Sequence, residues 1–345
     1  MLHTLTVSCQ TPFPYPVKLL LIGLFDTEGK GIETVIENQC TKVWGERSSF
    51  DIVSSRKYPF PVRLVAMWVS AAEQCCYRAD FSIDTQRAEA IINEHKCLTS
   101  ELRMEYLTIG IAPFGGVAVW LSSYEESLLL NWEKAIQISQ NNQIGRDRVV
   151  TICQELFSTY YEAQSSLANN GLPSQNLFER RMTKYDYRFV ALEEYYDGQD
   201  WRAYSDEDLY YDDLDLDSIY VLRLDGTLDK RAGFELLNYH HAGVPSRISV
   251  KWHSGKAQYS AYFWLELLGS MRMFERFFII DSLRPADLLL RLDSRAQRYE
   301  LALSRAGEQT ISSFNDEAYQ AIVFRDGREF YRTPNYNQPD GAWVW

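Results

Sequence analysis

No cysteine follows Cys153, and the six present (Cys9, Cys40, Cys75, Cys76, Cys97 and Cys153) form no Cys-x-x-Cys frame. So long a chain with its cysteines confined to one half is not a disulfide scaffold. Adjacent Cys75 and Cys76 on a strand point to opposite faces and neither bridge nor chelate together. Reduced thiols in a cytoplasmic protein are the expectation. Histidine is scarcer, with five in 345 residues (His3, His95, His240, His241 and His253) and no H-E-x-x-H pattern. No metal and no cofactor are therefore expected. Basic residues are few for the size, 35 against 47 acidic, a formal net charge of −12. Without a basic face, a general nucleic-acid binder is excluded. No window approaches the roughly 18 apolar residues of a membrane-spanning helix. The first nine residues carry no Lys or Arg and no apolar run of signal-peptide length. Cys9 could end a lipoprotein cleavage box, but Thr6 stands where such a box has leucine, so a lipid-anchored periplasmic form is only the alternative. Glycine and proline, 18 and 11, are too few for collagen or low-complexity sequence.

Catalytic signatures are missing too. There is no G-x-S-x-G, no S-x-x-K with its companion motifs, and neither of the phosphate loops G-x-x-x-x-G-K-[ST] and G-x-G-x-x-G. An EF-hand loop starting at Asp213 fails, because its sixth position is Ser218 and its twelfth is Leu224. No catalytic residue is expected.

What is present is a well-patterned globular chain, 46% hydrophobic and 14% aromatic. At ~100–200 residues per domain it predicts two domains. Lys18 to Phe25 reads as a buried strand, and Val62–Ser70 with Cys75–Ile83 as a β-hairpin. Asp84 caps a helix to about His95. Tyr106–Ile111 and Val117–Leu121 form a second hairpin around Ala-Pro-Phe-Gly-Gly, and Glu125 to Ala168 reads as helical with a break near Asn141-Asn142 and Gly145. Asn169 to Ser174 reads as a linker. Beyond it lie strands at Tyr185–Glu194 and Ile219–Leu224, a hairpin at Arg247–Trp252 and Gln258–Leu267, and a helix to about Phe278. Two more hairpins follow, at Leu288–Leu292 with Tyr299–Leu303 and at Ile322–Arg325 with Glu329–Arg332.

The halves resemble each other. Pro61-x-Arg63-x4-Trp68-x-Ser70 matches Pro245-x-Arg247-x4-Trp252-x-Ser254 at identical spacing. Tyr77-x-Ala79-x-Phe81 matches Tyr259-x-Ala261-x-Phe263, with the second hairpin two residues shorter. The expected fold class is α+β: two similar lobes, each an antiparallel sheet with a packed helix, arising by divergent internal duplication. The first lobe spans 1–170 with a C-terminal helical segment. The second spans 171–345 and carries an acidic-aromatic insertion near 193–217.

That insertion is the most conspicuous feature. Between Glu193 and Asp217 stand eleven acidic residues against Arg202 alone, a net −10, interleaved with Tyr195, Tyr196, Trp201, Tyr204, Tyr210 and Tyr211. This is the mix of a protein interface that faces a basic partner. Trp201, Asp206, Glu207, Asp208, Tyr210, Tyr211, Asp212 and Asp213 are its candidate binding residues. The tail, with Trp343 and Trp345 in its last three residues, is expected to dock onto the second lobe.

Pro61-x-x-Leu64-x-x-x-Trp68-x-Ser70-x-x-Glu73-x-x-x-Tyr77 and Ile109-Gly110-Ile111-Ala112-Pro113-Phe114-Gly115-Gly116, followed by Val119-Trp120-Leu121, carry a resemblance. They resemble a bacterial family of domains of unknown function, whose members are often described as lipoproteins. That family usually has a plain Gly-Leu-Ala-Pro-Gly-Gly at the second motif. Similarity continues at Lys184-Tyr185-x-Tyr187-Arg188-Phe189, at Ala261-Tyr262-Phe263-Trp264 and at Asn335-Tyr336-Asn337-Gln338. The resemblance brings no catalytic residues. It implies a setting in bacterial antagonism loci, where a binding protein neutralises a secreted toxin. The expected function is a non-enzymatic immunity protein blocking a basic toxin. The alternative is a small-ligand module or hydrolase with a site between the lobes, lined by Trp68, Trp252, His253 and Tyr259.

Overall fold

The computed structural model describes residues 2–12, 14–35, 38–40, 44, 51–95, 104–123, 126–138, 145–193, 195–196, 201–202, 215–231, 238–254, 257–280, 284–293, 298–305, 312–313 and 319–333. The fold is α+β and rich in strands. The chain divides into two compact units, Met1–Met182 with Asp225–Leu228, and Thr183–Leu224 with Asp229–Trp345.

The first unit contains eleven described strands: β1 (Leu2–Gln10), β2 (Val17–Phe25), β3 (Gly31–Val35), β4 (Asn38–Cys40), β5 (Asp51–Pro59), β6 (Arg63–Ser70), β7 (Cys75–Ser82), β8 (Tyr106–Ala112), β9 (Gly116–Ser122), β10 (Ser127–Lys134) and β11 (Ile136–Ile138). Its helices are α1 (Thr85–His95), α2 (Arg146–Thr159), α3 (Tyr161–Asn170) and the short α4 (Leu177–Arg181). One sheet runs β11-β7-β6-β2-β3, with β4 also on β2; the other runs β10-β9-β8-β1-β5. Leu19, Leu24, Leu64, Ala66 and Trp68 of the first sheet share one core with Leu5, Leu107, Ile109, Val119 and Leu121 of the second. Alternation along β6 explains this, because every second side chain faces inward. The outward set, Val69 with Leu20 and Cys76, is covered by Val149, Ile152, Cys153 and Leu156 of α2. Asp84 caps α1 as its position predicts, accepting from the Arg87 N–H at 3.0 Å. The first unit also takes in α4, beyond the expected boundary at residue 170, because Phe178 packs edge-on against Trp44 and Tyr15.

The second unit contains β12 (Lys184–Glu193), β13 (Tyr195–Tyr196), β14 (Trp201–Arg202), β15 (Asp215–Arg223), β16 (Leu228–Arg231), β17 (His240–Gly243), β18 (Pro245–Ser254), β19 (Ala257–Leu265), β20 (Ala286–Asp293), β21 (Arg298–Ser304), β22 (Ser312–Ser313), β23 (Tyr319–Arg325) and β24 (Arg328–Arg332), with helix α5 (Leu267–Ile280) between β19 and β20. One run of strands is β24-β23-β19-β18-β15-β16, and a second sheet is β17-β12-β20-β21-β22. Ile248, Val250, Phe263, Phe274, Leu288, Leu290, Leu301 and Val323 are all fully buried.

Three expectations are corrected. Each unit holds more than one sheet, and neither unit is purely antiparallel. β1 runs parallel to β8, with Val7 opposite Leu107, and β12 runs parallel to β20, with Val190 opposite Leu289. A long stretch of chain separates each parallel pair, from β1 to β8 and from β12 to β20, where a tight turn could join only antiparallel strands. Helix does not extend from Glu125 to Ala168 either: Ser127–Lys134 and Ile136–Ile138 are strands, and helix starts at Arg146. The leucines Leu128, Leu129 and Leu130 have no period of their own, and pairing of β10 with β9 decided their conformation.

Candidate functional site

In both units the central hairpin places the repeated motif residues in matching register. Trp68 lies opposite Tyr77 across β6–β7, and Trp252 lies opposite Tyr259 across β18–β19. Each pair stacks, with centroids 5.5 Å apart in the first unit and 5.2 Å in the second. Trp68 and Trp252 are 0% and 2% exposed, so both indoles are spent on the core of their own unit.

The hairpins differ at their turns. Ser70 and Cys75 close the first across four residues, Ala71 to Gln74. Ser254 and Ala257 close the second across Gly255 and Lys256. The longer turn carries Glu73, and its carboxylate gathers three donors. Ser70 Oγ donates to Oε2 at 2.5 Å; Tyr77 OH and the Phe114 backbone N–H donate to Oε1 at 2.7 and 2.6 Å. Phe114 belongs to the β8–β9 turn, Pro113–Gly115, so one carboxylate ties two hairpin turns together. Charge-assisted bonds of this kind are about twice as strong as neutral ones.

Backbone strain gathers at the same place. Among the described residues, the non-glycine residues with left-handed φ are Gln74, Phe114 and Asp326. The first two adjoin the Glu73 carboxylate, by sequence and by hydrogen bond. Such residues persist only where their surroundings over-determine them. Gly115, at φ +76°, could not carry a side chain there, since a Cβ would lie 3.0 Å from Tyr77 and from the Ala135 carbonyl. Gly110 leaves space in the same motif, because a Cβ would fall 2.3 Å from the Trp120 ring. Trp120 in turn meets Trp44 edge-on at 5.0 Å.

Burial pushes the Tyr77 phenol well above its usual value, and its bonds to Cys75 and Glu73 add to this. The phenol therefore remains a donor. Burial also raises the thiols, Cys76 and Cys153 to about 11, which leaves them protonated and unreactive. Glu73 already has its three donors, and the 2%-exposed Ser70 hydroxyl donates to it. The cluster is built to hold two turns rigidly. Sequence reasoning quoted Ser70, Glu73 and Tyr77 as a motif but did not see them as a site. The signal available was the two-residue difference between the hairpin turns.

Three histidines pair with carboxylates. His95 Nε2 lies 2.8 Å from Glu126 Oε2, His241 Nδ1 3.0 Å from Asp186, and the half-exposed His253 Nδ1 2.8 Å from Asp217. Among the described residues no three His, Cys, Asp or Glu side chains cluster as metal ligands.

Of the candidate partner-binding residues, Trp201 sits on β14, where it pairs with Tyr196 of β13. Asp206, Glu207, Asp208, Tyr210, Tyr211, Asp212 and Asp213 lie outside the described residues, as does the Trp343–Trp345 tail. Of the alternative ligand residues, Trp68 belongs to the first unit; Trp252, Tyr259 and His253 belong to the second. His253 points away from the stacked pair, to the opposite face of β18.

The first unit is thus a strand-rich α+β domain in which Glu73 clasps two hairpin turns. The chain is a member of the family described as "Protein of unknown function (DUF2931)", whose model matches residues 3–175. No curated protein and no solved structure matches the chain. Among the described residues no helix is long and apolar enough to cross a membrane.

Proposed function

We propose that this protein is a non-enzymatic bacterial interaction protein of the immunity type, acting in the cytoplasm by blocking a basic secreted toxin. The observation that carries this reading is the segment Glu193–Asp217, with its net charge of −10 and six interleaved aromatic residues. Such a surface speeds association with a cationic partner and selects against others. Support also comes from the titratable groups: Glu73, His95, His241 and His253 are each committed to bonds within the fold. The small-ligand alternative draws less support, because the Trp68 and Trp252 rings are buried and stacked on Tyr77 and Tyr259.

We also infer that the two units descend from one duplicated ancestor. The matched residues share register, as Ala66 opposite Ala79 corresponds to Val250 opposite Ala261. Sheet order agrees as well, with β5-β1-β8-β9-β10 answered by β17-β12-β20-β21-β22.

The test is affinity capture of the tagged protein from its native host at low salt and at ~0.5 M salt, where surface attraction is screened. A stoichiometric partner, encoded nearby and partly released by salt, is the expected result. Replacing Asp206, Glu207, Asp208, Asp212 and Asp213 with lysine should then slow its association and flatten the salt dependence. Unchanged kinetics in that variant would remove the segment from the interface.

A further inference from the structure

Strand β11 stands at the end of its sheet, paired on one side only with β7, Ile136 opposite Arg78 and Ile138 opposite Cys76. Among the described residues no strand pairs with its other side. In the second unit β23 takes the same place beside β19, and there β24 covers the outer side, with Val323 opposite Tyr331. The next described element after β11 is α2, and among the described residues of the first unit no strand covers this edge. Ile136 is 76% exposed, the most uncovered large aliphatic residue described in the first unit. Beside it lies a depression of about 430 Å³ lined by Arg78, Asp80, Lys134, Ile136 and Ile138. An open edge carrying an exposed branched aliphatic side chain is a template for strand addition.

The strand's own sequence says what fits. Ala135-Ile136-Gln137-Ile138-Ser139 reads the same in both directions in size and polarity: small, isoleucine, glutamine, isoleucine, small. Laid antiparallel on a second copy about Gln137, each Ile136 meets the other copy's Ile138 on one face of the sheet. Gln137 meets its own counterpart on the other face. A twofold contact needs this self-complementarity, because the same patch must serve on both sides. We propose that β11 is a homodimerisation edge, pairing antiparallel with β11 of a second copy of this chain. The pairing joins the two β11-β7-β6-β2-β3 sheets and covers Ile136. It is independent of the acidic segment, which lies elsewhere in the sequence.

The test is sedimentation velocity of the full chain over a dilution series reaching ~0.1 mM, a range suited to a short-edge contact. The wild-type protein should move from 40.1 kDa toward twice that mass as concentration rises. Ile136→Lys, which puts a charge on the edge, and Gln137→Pro, which removes a ladder donor, should both stay monomeric while keeping the wild-type circular dichroism spectrum. Position is read separately with Gln137→Cys, which should form an intermolecular disulfide on mild oxidation that the wild type does not. A wild type that is monomeric throughout overturns the proposal. So does a dimer that persists in Ile136→Lys, or a Gln137→Cys variant that fails to cross-link.

Discussion

The two units share a stacked Trp–Tyr pair at the heart of a hairpin and differ in the turn that closes it. Trp68 on Tyr77 and Trp252 on Tyr259 are the same solution twice, down to the register. Among the described residues the clasp is seen in the first unit. Its four-residue turn places Glu73 where it reaches the Pro113–Gly115 turn through the Phe114 N–H. The two-residue turn of the second unit, Gly255-Lys256, contains no carboxylate. The comparison separates two layers of specification. Core stacking sets the architecture of each unit, and turn chemistry then decides which loops are held together. The clasp lies within the part of the chain that the family model covers.

The comparison can be broken at several strengths. Trp68→Ala and Trp252→Ala should have the largest effects, each emptying a buried site at a cost of about 3–5 kcal/mol. Denaturation followed by probes placed in each unit should show each variant lowering its own unit's transition most. Equal losses in both units would mean that the stacks do not belong to separate cores.

Glu73→Ala comes next. It strands the Ser70 hydroxyl, the Tyr77 phenol and the Phe114 N–H, for about 2–3 kcal/mol. Lys256→Ala, in the corresponding turn of the second unit, should stay within about 0.5 kcal/mol. Similar costs at both positions would refute the clasp.

Glycine substitution sharpens the contrast. Gly115→Ala meets both a left-handed φ and a crowded site, whereas Gly327→Ala in the second unit meets a left-handed φ of +75° in open space. The open site should cost about 1 kcal/mol and the crowded one about 2 kcal/mol or more, measured by thermal unfolding.

Alkaline pH should have the smallest effect. Tyr77 has a raised folded-state pKa, so its contribution is complete below the ordinary tyrosine value of about 10 and is lost as pH climbs beyond it. The first unit should therefore loosen above about pH 10. Tyr77→Phe, less stable at neutral pH, should show a shallower decline. An equally steep decline in that variant would assign the alkaline loss to other groups.

Much of the fold was legible because its signals are local. Alternation placed β6, β7, β18 and β19, and Asp84 announced the start of α1. Repeated spacing anticipated the paired registers, since a hairpin of fixed turn length fixes which residues face each other. The leucines of β10 were misread because an apolar run without a period takes its conformation from its neighbour. The parallel pairing of β1 with β8 left no local trace, because the partners lie far apart in sequence. The site was half legible: Ser70, Glu73 and Tyr77 stood out as a spaced motif, but the contact from Glu73 to Phe114 crosses 41 positions. No sequence period reports such a contact.

By itself the sequence determined the α+β class, the twin hairpins and the acidic-aromatic composition of 193–217. Composition, period and spacing are properties of neighbours along the chain, and those features depend on nothing else. Tertiary structure alone decided that each unit holds more than one sheet and a parallel pair, and that Glu73 clasps two distant turns. It also decided that β11 ends its sheet with Ile136 uncovered. These outcomes depend on which segments meet after collapse, where burial and hydrogen-bond satisfaction outweigh local preference.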